Sequence, residues 1–109
     1  MKITYTIQVC NESRELYSLL NFLSKTIDPV DNVNVVVDSN RKAEKVALVL
    51  EHFKDFIHVY ERPFDNFYDN SMFHIEKATG EYIFHIDADE MPQEMLIKNI
   101  KRIIEDTQA

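Results

Sequence analysis

A chain of 109 residues is the size of one compact domain, and 45% apolar residues with 7 Phe and 5 Tyr are enough to bury one core. The balance of 19 acidic against 12 basic residues, net charge -7, repels a phosphate backbone and argues against nucleic acid as a partner. Cys10 is the only cysteine, which excludes an intrachain disulfide and a cysteine-rich zinc site and suits a reducing cytoplasm; no window reaches the ~18 apolar residues of a membrane span, so a soluble, cytoplasmic chain is expected.

Ile3 to Val9 is β-branched and aromatic and predicts a first strand, followed by the polar break Cys10-Asn11-Glu12-Ser13. Ser13 is placed to cap a helix in which Leu16, Leu19, Leu20, Leu23 and Ile27 recur at helical spacing until Asp28-Pro29 stops the run. Val33 to Val37 is a second strand, apolar enough to be covered on both faces, and it ends at Asp38. Arg41 to Phe53 reads as a second helix with Val46, Val49, Leu50 and Phe53 inward. Ile57 to Tyr60 reads as a third strand, closed by Pro63. Between Asp65 and Ala78 the spacing of Phe67, Met72, Ile75 and Ala78 predicts a third helix with that stripe inward, and Gly80, the only glycine, falls where a helix C-cap would. Tyr82 to Ile86 is a fourth strand running into Asp87-Ala88-Asp89-Glu90. A last helix follows, with Met95, Leu96, Ile100, Ile103 and Ile104 on one face and Asp106 to Ala109 as a frayed end.

The order βαβαβαβα implies right-handed crossovers, hence a three-layer α/β/α domain over residues 1–109 with a mostly parallel four-stranded sheet. Ligands bind such sheets at the carboxyl ends of the strands. Polar residues stand at three of those ends: Asn11 and Glu12, then Asp38, then Asp87, Asp89 and Glu90. Asp87 and Asp89, two residues apart, can reach one hard cation, Mg2+ or Mn2+, with a nucleotide diphosphate completing its shell; the plainer alternative is a solvated turn in which Asp89 caps the last helix. Glu12 and Asp38 can accept hydrogen bonds from ribose hydroxyls or a base N–H, or start a helix. His52, His58, His74 and His85 lack zinc spacing and read as packing residues, as does Cys10. The aromatics Phe64, Phe67, Tyr68 and Phe73 read as core sooner than as a base-stacking wall.

Taken together these residues resemble family 2 glycosyltransferases of the GT-A (nucleotide-diphospho-sugar transferase) fold. Phe64-Asp65-Asn66-Phe67 and the run Ala78 to Glu90 are especially similar to the branch containing lipopolysaccharide-core glucosyltransferases. Cys10-Asn11-Glu12 and Val35-Val36-Val37-Asp38-Ser39 fall in the family's order. The resemblance implies a truncated GT-A domain, the nucleotide-sugar-binding half, in which Glu12 contacts the nucleoside, Asp38 lies against base and ribose, Asp87 sits near ribose and sugar, and Asp89 ligates the metal. It implies a UDP-sugar donor and a glycan or lipid-linked acceptor. Two departures stand out: Ser71-Met72 replaces an Arg-Asn pair of the branch, and the chain stops one helix after Asp89, before the segment that supplies the acceptor site and base, so no catalytic residue is assigned. Competing expectations are a noncatalytic nucleotide-binding module and a toprim-like phosphoryl-transfer domain; the latter normally has glycine beside its Glu, where Glu12 has Asn11 and Ser13. An exposed sheet edge is expected, which invites a homo-oligomer.

Overall fold

A computed structural model describes residues 1–41 and 43–108. In chain order the elements are β1 (Ile3–Val9), α1 (Ser13–Thr26), β2 (Asn32–Asp38), a single 3-10 turn (Ser39–Arg41), α2 (Glu44–His52), β3 (Ile57–Arg62), α3 (Phe67–Lys77), β4 (Tyr82–Asp87) and α4 (Glu94–Gln108). The four strands form one sheet in the order β3-β2-β1-β4, and every pairing is parallel. Steps from β1 to β2 to β3 run in one direction; the step from β3 to β4 runs back past both. With right-handed crossovers that reversal carries α3 to the opposite face from α1 and α2, which produces the three layers.

The two faces of the sheet differ in chemistry. One receives Ile3, Tyr5, Ile7 and Val9 from β1 and Val33, Val35 and Val37 from β2, packed against Leu16, Leu19, Leu20 and Leu23 of α1, Val46 of α2 and Ile97 of α4. The α1 leucines are all fully buried; each contributes about 1.5–3 kcal/mol by leaving water. The other face of β1 is polar, because Thr4, Thr6 and Gln8 alternate with the apolar positions. It is covered by α3, whose buried residues are Asn70 and His74. Gln8 Oε1 accepts from Asn70 Nδ2 at 2.7 Å and meets His74 Nε2 at 2.8 Å, while Thr6 Oγ1 meets His74 Nδ1. A neutral ring with its proton on Nε2 satisfies both contacts at once: it donates to Gln8 and accepts from Thr6. Burial, then the neighbouring His85 and Arg62, pull the His74 pKa down to about 4, which keeps the ring neutral.

The packing corrects several sequence expectations. The stripe Phe67, Met72, Ile75 faces solvent, with Phe67 77% exposed, because the polar underside of β1 selects Asn70 and His74 instead. Tyr68 is exposed for the same reason, Phe64 is exposed in the loop before α3, and Phe73 packs at the margin, edge-on to Tyr60 with Arg62 and Lys77 over its ring. Gly80 is not a left-handed cap, since no glycine has positive φ. It is there because a Cβ would stand 2.7 Å from Thr4 N and 2.8 Å from Lys2 O, where the chain crosses the start of β1. Ser13 is the first helical residue, and Glu12 holds the N-cap position. The second helix begins at Glu44, after a separate turn; Lys42, within its expected span, lies outside the described residues. Met95 and Ile103 point outward, and Ile97, Ile100 and Ile104 make the inner stripe of α4. Its helical conformation runs on through Asp106 and Thr107 to Gln108; Ala109 lies outside the described residues. Of the four histidines only His74 is buried; His52 is exposed and stacks on Tyr17 and Phe53, while His58 and His85 are exposed on the edge strands.

An ionic clamp fastens α4 at the amino end of the sheet. Lys101 Nζ lies 3.1 Å from Asp28 Oδ2 and 3.0 Å from the buried Asp31 Oδ1, which also accepts from Ile3 N at 2.9 Å. Burial of the ammonium opposes its charge, but the hydrogen bonds to Asp31 and Asp28 outweigh that and raise the Lys101 pKa. Tyr5, buried beside the same carboxylates, is pushed up to about 12 by burial first and by Asp31 and Asp28 next.

Candidate functional site

The strand order reverses between β1 and β4, so the crevice at their carboxyl ends is the topological switch point of the sheet. The loop Cys10-Asn11-Glu12 leaves β1 there and Asp87-Ala88-Asp89-Glu90 leaves β4 beside it. The register sets Gln8 against Asp87 on one side and against Val36 on the other. Glu12, Asp87 and Asp89 are thereby gathered at adjacent strand ends, and Asp38 stands two strands from Asp87 on the same edge, on the order of 10 Å away by strand spacing.

Each residue expected from the sequence has a definite local setting. Asn11 is exposed and its carbonyl accepts from Ser13 N at 2.9 Å. The Glu12 carbonyl starts α1 by accepting from Leu16 N, whereas its side chain turns back and Oε2 accepts from Cys10 N at 3.0 Å. Asp38 is buried at the end of β2. Its Oδ1 accepts from Asn40 N at 3.0 Å and from Phe64 N at 3.1 Å, tying the chain beyond β3 to the edge of the site. Asp38 is therefore a structural pin through one oxygen, with the other free of these two bonds.

The Asp-x-Asp segment is a tight turn. Ala88 is buried and its N–H donates to Gln8 O at 3.0 Å, which continues the β1–β4 pairing one residue past the strand. With Ala88 inward, the flanking Asp87 and Asp89 are exposed. Asp87 Oδ1 lies 3.7 Å from His85 Nε2. Glu90 closes the turn: its N–H donates to Asp87 O at 2.9 Å and its Oε1 accepts from Asp87 N at 2.8 Å. Asp89 does not cap α4, which begins five residues later at Glu94. A groove of about 230 Å³ runs from Ala88, Asp89, Glu90 and Met91 to Arg14, Glu15 and Ser18 on the first turns of α1.

The donor set suits a hard divalent cation: two exposed carboxylates flank one inward alanine at a strand end. Among the described residues no group of three or more His, Cys, Asp or Glu converges on one metal position, so a cation here would draw most of its shell from a ligand and water. Sequence reasoning missed Gln8, and it placed Glu90 at the strand end without its bond to the Asp87 amide. The signal for Gln8 was visible as the period-two row Thr4, Thr6, Gln8, which calls for a polar partner; Glu90 carried none, since its role depends on the turn.

Among the described residues no helix is long and apolar enough to cross a membrane. No curated protein sequence matches the chain. In structure it is similar to S. aureus TarS, in the crystal structure of TarS 1-349 and in a second TarS crystal structure, each with a TM-score of 0.78 at 18% identity. Either comparison covers 99% of this chain, which spans 33% of the first TarS chain and 20% of the second; at this identity the likeness shows the fold, a GT-A-like three-layer sheet. The family model of glycosyl transferase family 2 matches residues 6–109, and so takes in every strand end just described. The chain belongs to glycosyl transferase family 2.

Proposed function

We propose that residues 1–109 form the donor-binding half of a glycosyltransferase, which holds a nucleotide-diphosphate sugar, UDP-linked, along the carboxyl edge with Mg2+ or Mn2+ at Asp87 and Asp89. The observation that carries this reading is the exposure of those two carboxylates at the switch point, beside Glu12 and Asp38. Asp38 and Glu12 offer acceptors to the ribose hydroxyls and the base, Asp87 faces the ribose and sugar, and Asn11 lines the loop between them. The acceptor is a glycan or lipid-linked saccharide, and the likeness of Phe64 to Glu90 to the lipopolysaccharide-core branch supports a hexose donor. Such a donor places the work in the cytoplasm.

Transfer exchanges the bond between the anomeric carbon and the diphosphate oxygen for one to an acceptor hydroxyl oxygen, which gives up its proton, and negative charge builds on the leaving diphosphate. A bound divalent cation offsets that charge. The residues of this chain contribute position: Ala88 locks the turn to β1, and the exposed Asp87 and Asp89 flank it. Without the cation the acidic edge repels the diphosphate.

Calorimetric titration with UDP, in Mn2+ and then in chelator, tests the reading. Binding should be clearly tighter with the metal; equal affinity in both would sink the assignment of Asp87 and Asp89. Donor binding with little or no transfer by residues 1–109 alone is the result expected of a donor-binding half; robust acceptor-dependent turnover would overturn that reading.

A further inference from the structure

The donor site just proposed depends on where a four-residue turn points two aspartates, and the structure shows what holds that turn. Asp87 and Glu90 are joined twice, by Glu90 N–H to Asp87 O and by Asp87 N–H to Glu90 Oε1. The first bond is an ordinary β-turn closure available to any residue at position 90. The second needs a side-chain oxygen of the right reach. Asp87 N is otherwise a strand-end donor on the outer side of β4, where, among the described residues, the sheet has no further strand.

We propose that Glu90 is a positioning residue: it accepts the Asp87 amide hydrogen and thereby fixes the backbone that aims Asp87 and Asp89 at a shared cation, without being a ligand itself. The inference rests on the reading of the donor site above and assigns no new site. Its physical basis is preorganisation. Two carboxylates on a loose turn repel each other and spread apart, so bringing them to one cation costs ordering free energy at the moment of binding. A turn already closed on both sides has met that cost during folding. Partners behind metal ligands typically set affinity by ~10- to 100-fold.

Charge and hydrogen bonding can be separated by substitution. Glu90→Gln retains an oxygen that accepts the Asp87 amide hydrogen but lacks the negative charge; Glu90→Ala lacks both. Mn2+ affinity in the presence of UDP would be read by electron paramagnetic resonance of free Mn2+, and amide hydrogen exchange at Asp87 would be read in metal-free protein. The expected result is near-parental Mn2+ affinity and Asp87 protection in Glu90→Gln, against affinity weaker by ~10-fold or more and rapid Asp87 exchange in Glu90→Ala. Circular dichroism and the thermal midpoint would show that both variants stay folded. If Glu90→Gln is as weak as Glu90→Ala, the carboxylate acts by charge or ligation and the positioning role is wrong. If Glu90→Ala binds Mn2+ as the parent does, the turn needs no such support and the role is likewise wrong. A parent protein that binds no Mn2+ with UDP overturns the donor-site reading itself, and this inference with it.

Discussion

Asp89 and Gly80 represent opposite kinds of residue in this molecule. Asp89 is exposed and makes no hydrogen bond or ion pair among the described residues, so its charge is supported by nothing but solvent. Asp89→Ala should leave stability within ~0.5 kcal/mol of the parent by denaturant unfolding while abolishing the metal dependence of UDP binding; a large loss of stability would mean that the turn uses Asp89 structurally. Gly80 has no such freedom. A methyl group there would press on Thr4 N, Lys2 O and Ile3 C at 2.7, 2.8 and 2.9 Å, all backbone atoms at the start of β1 that cannot rotate away. Gly80→Ala should cost about 2 kcal/mol or more and lower the thermal midpoint by roughly 10 °C; an unchanged midpoint would show that the crossing is looser than described.

At the scale of an element, α3 is held to the sheet differently from the other helices. It lays Asn70 and His74 on Thr6 and Gln8, and Arg62 from β3 donates to Asn70 Oδ1 at 3.1 Å, so hydrogen bonds take the place of an apolar seam. This makes α3 sensitive to the charge of one ring. The folded-state pKa of His74, about 4, lies below the unfolded value near 6.5. The unfolded chain therefore binds the extra proton first as pH falls, and the stability contributed by the neutral ring, complete above pH ~6.5, is lost progressively toward pH ~4. The loss at pH 5 should be about 1–2 kcal/mol relative to pH 7 in urea unfolding. Asp28 and Asp65 are lowered as well, chiefly by backbone hydrogen bonds from Val30 and Asn66, but from the carboxylate range, so their effect belongs to more acidic solutions. His74→Gln should flatten the slope between pH 7 and 5 whatever its own baseline stability; a persistent slope would place the proton elsewhere.

For the whole molecule the governing quantity is a net charge of -7 with Glu12, Asp38, Asp87, Asp89 and Glu90 at one edge of the sheet. Under the proposed function the ligand is an anion approaching an acidic edge, so long-range electrostatics oppose binding unless a cation intervenes. In chelator, raising salt from ~0.02 to ~0.3 M shortens the screening length from ~20 Å to ~6 Å and should leave the weak UDP affinity unchanged or improve it. A protein that binds phosphate through lysines and arginines loses affinity under the same change. A steep loss of UDP affinity with salt in chelator would show that basic groups such as Arg14, across the groove from Asp89, dominate the site.

Much of this was legible in the residues themselves. Alternating βα segments with continuous apolar runs dictate a parallel sheet with helices on both faces, because each strand and helix has a periodicity of its own and right-handed crossovers leave few ways to join them. The strand ends, and with them Asn11, Glu12, Asp38, Asp87 and Asp89, follow from the same local patterns. What a helix packs against is not local. The stripe Phe67, Met72, Ile75 looks inward by periodicity, and only the polar underside of β1 turns α3 over to bury Asn70 and His74. Gly80 looks like a cap until β1, nearly eighty residues earlier in the chain, is found against its Cα. Glu90 looks like one more acid at the strand end, and the turn makes it the acceptor for the Asp87 amide. In each case the sequence specified which groups needed partners, and the tertiary structure decided which partners came within reach, since hydrogen bonds and steric contacts between distant segments exist only once the sheet has brought those segments together.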